Sequence, residues 1–292
     1  MNFEHKGSVT MNEAGSLLVQ PVWRIIDQSS IGIGMSALNS FAIDDTLCAS
    51  VGSGISPAAA RTWVHDKTIV LGIQDTRLPM LKQGLDYLDE KGYSVIVRNS
   101  GGLAVVLDTG VLNISLIFPE GDNRIEINRG YETMLELVRK MFAEFSVDIE
   151  AREIIGSYCP GSYDLSIGGK KFAGISQRRI RNGVAVQIYL CVSGSGSERA
   201  SVVKGFYDAA KGEHETKVTY PDIKPEVMAS LDELLGGSEW TVADVMLRLL
   251  QVLKQSAGQL TASQLGADEW PQYEAYLERV VERNDKVLQK ID

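Results

Sequence analysis

Residues 163–177 read YDLSIGGKKFAGISQ, and this stretch decides the fold around the candidate site. Tyr163–Ile167 is typical of a short strand, and the two glycines that follow it favour a primed two-residue hairpin turn. Lys171–Gln177 is predicted to be the returning strand. After a basic turn over Arg178–Gly183, a third strand is predicted over Val184–Val192. The sequence therefore predicts a three-stranded antiparallel meander.

A cysteine lies in the bend that precedes this meander. Residues 156–161 read GSYCPG, so Cys159 sits among glycines and a proline rather than inside a strand. The meander brings Cys159 near Lys171, because adjacent strands lie about 5 Å apart. A nearby ammonium group lowers the pKa of a thiol from its usual value of about 8.5, so this pair is predicted to form an activated nucleophile. The alternative is a small buried apolar Cys159 and a solvated surface Lys171.

The composition is that of a globular protein with an ample apolar core. Of the 292 residues, 44% are hydrophobic and 23% are charged. The sequence contains no run of 18 apolar residues, so no membrane span is predicted. The three cysteines are too widely spaced for a disulfide framework or a zinc motif, and Cys48 and Cys191 are predicted core residues. Together with the polar stretch Met1–Gly15, which lacks the apolar segment of a signal peptide, this predicts a cytoplasmic protein.

The charge distribution indicates which partners to expect. A net charge of −9 argues against nonspecific binding to nucleic acid. However, Leu165–Ser197 contains no Asp or Glu, whereas Arg178, Arg179 and Arg181 fall inside it. This basic strip predicts either an anionic partner or simply a solvated hairpin.

The remaining pattern predicts an α/β (α+β) protein with mixed, largely antiparallel sheets flanked by helices. A catalytic domain is predicted over residues 21–220, and a helical C-terminal extension packed on it over residues 222–292. The predicted helices of the first part are Asn39–Val51, Leu81–Lys91 and Tyr131–Phe145. Its other predicted strands are a hairpin within Arg61–Gln74, then Tyr93–Val97, Leu103–Leu107 and Val111–Phe118. The second part is predicted to be helical only, with a first helix over Pro225–Leu235 that ends at Gly236-Gly237. A second helix is predicted to start at a capping box formed by Thr241 and Asp244, and a last one at Trp270.

Three motifs in order resemble the lipoate-protein ligase and octanoyltransferase family. Residues 44–74 contain an acidic pair, then RTW and TIVLGIQ; residues 98–105 read RNSGGLAV; and the quoted stretch ends in a lysine loop, GKKFAGISQ. The resemblance covers roughly residues 21–210 and implies the biotin/lipoate-ligase catalytic fold. It also implies that the acyl group is surrounded by Trp63, Gln74, Arg98, Ser100, Gly101, Gly102, Ala104, Val105 and Gly174, with Ile73 as a further apolar candidate.

The departures from the family pattern narrow the chemistry. ATP-dependent members typically have a third glycine and a His-Asp after the glycine loop, where this chain has Leu103 and Leu107-Asp108. A leucine fits poorly where a backbone must approach a phosphate, so ATP chemistry is disfavoured. With Cys159 before its lysine loop, the chain instead resembles the cysteine-dependent branch of the family. No cofactor and no metal are expected.

That similarity implies an amide-to-amide octanoyl transfer through a Cys159 thioester. The donor would be octanoylated glycine-cleavage H protein, and the acceptors lipoyl domains of the E2 subunits of 2-oxoacid dehydrogenases. Lys171 would hold the thiolate and shuttle protons, and main-chain N–H groups near Gly101-Gly102 or Lys171 would bind the oxyanion. The basic strip would suit acidic carrier domains.

Four alternatives stay open at this stage. The donor could be acyl carrier protein, the enzyme could be an ATP-dependent lipoate or biotin ligase, and the chain could be a non-catalytic binder of lipoyl domains. A Cys-His hydrolase is least favoured, because His65 and His214 lack a local signature and are predicted to be surface residues.

Overall fold

The computed structural model describes residues 15–121, 124–236 and 239–288. The prediction for the N-terminal stretch, apart from Gly15, and Gly237 of the predicted helix end lie outside the described residues. In chain order the elements are β1 (Gln20–Gln28), α1 (Ala37–Gly52), β2 (Ala59–Trp63), β3 (Thr68–Leu71), α2 (Leu81–Glu90), β4 (Ser94–Val97), β5 (Val105–Leu107), β6 (Val111–Pro119), α3 (Ile127–Met141), β7 (Ile149–Ala151), β8 (Leu165–Ile167), β9 (Lys170–Ile180), β10 (Gly183–Cys191), α4 (Gly196–Lys211), α5 (Leu231–Leu235), α6 (Val242–Gln255), β11 (Ala257–Ala262) and α7 (Trp270–Leu288). Short 3₁₀ turns lie at Gly32–Gly34, Asp75–Arg77, Ala143–Phe145 and Pro225–Val227.

The strands form two sheets with helices on both faces, which confirms the predicted mixed α/β class. The larger sheet has eight strands in the order β11-β1-β2-β6-β10-β9-β8-β7, and the smaller has three in the order β4-β3-β5. Most pairs are antiparallel, but β1 runs parallel to both of its neighbours. The predicted meander is confirmed as β8, β9 and β10, with both turn glycines at positive φ. The predicted basic turn is shorter than expected, because β9 continues to Ile180 and only Arg181 and Asn182 connect it to β10.

The predicted hairpin within Arg61–Gln74 is wrong. β2 pairs with β1 and β6 in the larger sheet, whereas β3 pairs with β4 and β5 in the smaller one. Every residue of both strands is buried, so each has neighbours on both edges and both faces, which an isolated hairpin could not supply. The four residues 64–67 therefore carry the chain from one sheet to the other.

The prediction that residues after 220 are helical only is also wrong. β11 extends the larger sheet by pairing with β1. The predicted helix Pro225–Leu235 is split into a 3₁₀ turn and the short α5, because the segment between them bonds to the meander. Met228 bridges to Lys171, and Ala229 N donates to Lys171 O at 2.9 Å. The capping box at Thr241 and the final helix are confirmed.

Side-chain alternation along β6 divides the core. Its even-numbered residues, from Leu112 to Phe118, pack in the cluster that contains α3 and α6. The intervening Asn113 and Ser115 are also buried, and they face the side of the sheet where α1 lies. Polar residues inside a sheet need partners or a ligand, so this face is where a site is expected.

Candidate active site

The Cys159 sulfur accepts two hydrogen bonds from the glycine loop of residues 98–104. Leu103 N and Arg98 Nη2 both lie 3.3 Å from Cys159 Sγ. Cys159 itself adopts a left-handed backbone conformation, with φ +43°, in the loop between β7 and β8. It is partly exposed, whereas Cys48 and Cys191 are buried in the core as predicted. A main-chain N–H and a guanidinium thus meet the one accessible thiol of the described residues.

Lys171 contacts the main chain of Cys159 rather than its sulfur. Its Nζ donates to Tyr158 O and Cys159 O, each at 2.9 Å, and pairs with Asp164 Oδ1 at 2.9 Å. The side chain is fully buried, so the alternative of a solvated surface lysine is wrong. The predicted proximity of Cys159 and Lys171 is present, but Arg98 is the cation at the sulfur.

Asp164 is a site residue that the sequence reasoning did not single out, although it lies in the quoted stretch. Burial raises the pKa of its carboxyl, and the Lys171 ammonium opposes this increase. Ile154 N also donates to Asp164, at 3.3 Å. The carboxylate and ammonium together hold the bend that carries Cys159 against the start of β9.

Close backbone packing shapes the glycine loop. A Cβ on Gly72 would overlap Gly102 O, and a Cβ on Gly102, which has φ +108°, would overlap the Arg98 guanidinium. Arg98 Nη2 also donates to Leu103 O, so the same guanidinium closes the loop and reaches Cys159. These contacts explain both glycines without any nucleotide phosphate.

Strand registers build two rows of side chains across the larger sheet. One row is polar and runs through Arg61, Ser115, Gln187 and Ser176. The second row runs through Trp63, Asn113, Tyr189 and Gly174. From α1, Asp44 bonds to three members of the polar row at 2.6–2.7 Å. The second row carries no such partner, and within the described part of the chain Trp63 Nε1 and Tyr189 OH lack hydrogen-bond partners.

A cavity lies on these rows and beside the glycine loop. It holds about 480 Å³ of space not filled by atoms, part of it open to solvent. Apolar lining residues are Phe41, Trp63, Val70, Val105, Leu107, Ile114 and Ile188. Arg98 lines the cavity and also contacts the Cys159 sulfur, so the cavity adjoins the thiol.

Five of the nine residues predicted around an acyl group line this cavity. They are Trp63, Arg98, Ser100, Val105 and Gly174. Gly101, Gly102 and Ala104 do not line it, but they belong to the loop that holds Leu103 N. Gln74 is exposed and accepts from Arg77, and Ile73 lies outside the cavity, so the structure does not bring these two to the site.

Two further predictions need correction. The basic strip is not a free cationic surface, because Arg178 pairs with Asp45 and Arg179 with Glu120, each at 2.5 Å; Arg181 remains exposed at the turn. His65 is buried rather than superficial, and burial lowers its pKa to about 4. Its Nε2 lies 3.0 Å from Ser40 Oγ, whereas His214 is exposed as predicted.

Two site features carried no readable sequence signal. The Leu103 main-chain N–H depends on loop conformation rather than on residue type, and Tyr189 reads as an ordinary strand residue. Among the residues that the structure describes, no group of three or more His, Cys, Asp or Glu is placed to hold a metal ion. No helix in the described ranges has the length and apolar character needed to cross a bilayer.

Comparison with known proteins places this geometry in context. Residues 36–254 match the family described as lipoyl protein ligase A/B catalytic domain. An octanoyl-[GcvH]:protein N-octanoyltransferase of Bacillus velezensis is 63% identical over 274 residues, covering 93% of this chain and 95% of its own length. A protein of the same name from Geobacillus kaustophilus is 57% identical, with 93% and 96% covered. A lipoyl-[GcvH]:protein N-lipoyltransferase of Listeria monocytogenes is 50% identical, with 95% and 100% covered.

Solved structures show the same fold at much lower identity. A lipoate-protein ligase A bound with ATP superposes with a TM-score of 0.66 at 17% identity, covering 89% of this chain and 95% of its own. An archaeal bipartite lipoate protein ligase from Thermoplasma acidophilum gives 0.64 at 17%, covering 89% and 93%.

Proposed function

Because this chain belongs to the lipoyl protein ligase A/B catalytic-domain family, we propose that it is an octanoyl-[GcvH]:protein N-octanoyltransferase that works through a thioester on Cys159. It is an acyltransferase, and GcvH is its acyl-carrying partner. One observation carries the mechanism: an accessible thiol meets a main-chain N–H and a guanidinium beside an apolar cavity.

The first half-reaction transfers octanoyl from a lysine amide to sulfur. The Cys159 thiolate attacks the amide carbonyl carbon, forming the C–S bond, and the carbonyl oxygen becomes an oxyanion. Leu103 N–H and Arg98 are the donors that contact the sulfur, and we propose that they also stabilise that oxygen. The C–N bond then breaks as the departing nitrogen takes up, through Lys171, the proton that the thiol released when it ionised, and GcvH leaves with a free lysine amine.

The second half-reaction reverses these steps with a different amine. We propose that the acceptor lysine belongs to a lipoyl domain of a 2-oxoacid dehydrogenase E2 subunit. Its amine attacks the thioester carbonyl, the C–S bond breaks, and the amine proton returns to Cys159. One amide is consumed and one is made, so the reaction needs no ATP.

The apolar part of the cavity is the proposed site of the octanoyl chain. Trp63, Val70 and Val105 line it next to Arg98, which supports a tail in the cavity when the carbonyl is at the sulfur. Burying seven carbons beyond the carbonyl contributes about 6 kcal/mol at roughly 0.8 kcal/mol per methylene. This apolar contact holds the acyl group while the carrier proteins exchange.

We propose that Lys171 acts first by fixing the loop and then by moving protons. In the resting geometry its ammonium is occupied by Asp164 and two carbonyls. Proton transfer to the exchanging amines therefore requires Nζ to release one carbonyl when the substrate is bound.

The test is intact mass of the protein after incubation with octanoyl-GcvH in the absence of ATP. We expect one octanoyl increment that hydroxylamine removes, and none on Cys159→Ala. Octanoyl-acyl carrier protein is the competing donor, and Cys159→Ser checks that loss of the adduct reflects the sulfur. Labelling from acyl carrier protein alone would overturn the GcvH assignment, and an adduct on Cys159→Ala would overturn the thioester.

A further inference from the structure

A buried hydrogen-bonded chain supports the glycine loop from behind. Asp75 Oδ1 accepts from Tyr207 OH at 2.9 Å, and Tyr207 OH accepts from Ala104 N at 3.3 Å. Asp75 Oδ2 accepts from Gly72 N at 2.7 Å. Asp75, Tyr207 and Ala104 are all at most 1% exposed. The chain therefore joins α4 and the 3₁₀ turn after β3 to the end of the glycine loop.

These hydrogen bonds end at Ala104, one residue from the main-chain N–H that contacts the Cys159 sulfur. Ala104 directly follows Leu103, whose N–H reaches Cys159 Sγ. Gly72 packs against Gly102, so Asp75 fixes the loop at a second point through Gly72 N. A donor must stand within a few tenths of an ångström of its place to stabilise a developing charge. The two contacts flank the stretch that has to be held.

We propose that Asp75 and Tyr207 are positioning residues for acyl transfer, which hold Leu103 N–H and Arg98 against Cys159. The inference rests on the proposed thioester chemistry. Neither side chain lines the cavity beside the thiol; both act through the main chain of residues 102–104. A buried carboxylate is retained here because it accepts from two donors in different segments at once.

The directions in which the pKa values of Asp75 and Tyr207 are shifted are consistent with this role. Burial raises the pKa of Asp75 to about 6, opposed by the Gly72 N–H, Tyr207, Arg98 and Ala104. Burial also raises the pKa of Tyr207, which keeps its hydroxyl protonated as the donor; Asp75 and Cys159 add to that shift. Protonation of Asp75 occupies one of its oxygens, so one of the two donors loses its acceptor below about pH 6.

The experiment compares Tyr207→Phe and Asp75→Asn with Tyr220→Phe. The Tyr220 ring stacks on the Tyr207 ring, with centroids 5.2 Å apart. This control therefore removes a neighbouring tyrosine hydroxyl and leaves the hydrogen bonds among Asp75, Tyr207 and Ala104 intact. We expect Tyr207→Phe to lower the single-turnover rate of Cys159 octanoylation about 10-fold or more at saturating donor, with KM within about twofold. The acid limb of the rate, centred near pH 6, should disappear in Asp75→Asn.

Alkylation of Cys159 by iodoacetamide, measured by intact mass, tests the positioning role separately from the proposed thioester chemistry. The other two cysteines are buried, so the adduct reports on Cys159. We expect slower alkylation near neutral pH in Tyr207→Phe than in Tyr220→Phe, at an unchanged melting temperature. If native protein is alkylated but never octanoylated, the proposed function fails instead. Equal octanoylation and alkylation rates in Tyr207→Phe and Tyr220→Phe would overturn the positioning role.

Discussion

Replacing Lys171 by Met should destabilise the protein strongly, because it leaves a buried carboxylate without its cation. Asp164 is 2% exposed and Lys171 is fully buried, so solvent cannot compensate. The carbonyls of Tyr158 and Cys159 also lose their donor. Removing one partner of a buried ion pair typically costs about 3–5 kcal/mol, and we expect Lys171→Met to fall in that range.

A double-mutant cycle tests whether the pair is the cause. Asp164→Asn removes the charge that Lys171→Met strands, so the double variant should be more stable than the sum of the single effects by about 2 kcal/mol or more. Urea unfolding of the four proteins, followed by circular dichroism, measures this free energy. A Lys171→Met variant within about 1 kcal/mol of native protein, or strictly additive effects, would refute the reasoning.

The pH dependence of the stability of Lys171→Met tests the same reasoning, because the direction of the change with pH is fixed by Asp164. Burial raises the pKa of Asp164, and Lys171 opposes this. Without Lys171 the folded-state pKa lies further above that of the unfolded chain, so the folded variant binds the proton more tightly. Its deficit relative to native protein should therefore shrink as pH falls from 8 towards 5. A deficit that grows on acidification would contradict this account.

Three further outcomes follow from the geometry. Gly174→Ala places a Cβ 2.6 Å from the Tyr189 ring, so it should cost about 1–3 kcal/mol in urea unfolding and raise KM for octanoyl-GcvH; unchanged values would show that the ring is free to move. The pKa of Asp75 is raised from 3.8 to about 6, so its protonation should stabilise the folded protein by up to roughly 3 kcal/mol, and native protein should gain stability relative to Asp75→Asn as pH falls from 6 to 4. Arg98→Gln should slow octanoylation of Cys159 about 100-fold, and a single-turnover rate within tenfold of native would argue against a role at the oxyanion.

The local parts of this fold could be predicted from sequence because their signals are local. The Gly-Gly turn sets the register of β8 against β9, and the capping box at Thr241 starts α6. The larger errors concern pairing between distant segments. β2 and β3 are four residues apart yet join different sheets, and β11 pairs with a strand over 200 residues earlier. Hydrophobic alternation identifies a strand but not its partner.

The candidate site shows the same division. Spacing along the chain paired Cys159 with Lys171, and the family resemblance added Arg98 as a residue around the acyl group; the structure places all three at the bend. Which atom each cation contacts depends on backbone direction, so the sequence could not assign Arg98 to the sulfur and Lys171 to the carbonyls. The Asp75–Tyr207 link joins two segments with no shared motif, and only the folded chain reveals it.

The position of β1 has a consequence for how the chain matures on the ribosome. β1 lies between β2, made soon after it, and β11, made more than 200 residues later. At 5–20 residues per second, its outer edge waits roughly 10–50 s for its partner. During that interval a row of unpaired amides faces the cell, able to recruit a strand from another chain. Completion of the sheet, and escape from misassembly, therefore come only as β11 leaves the exit tunnel.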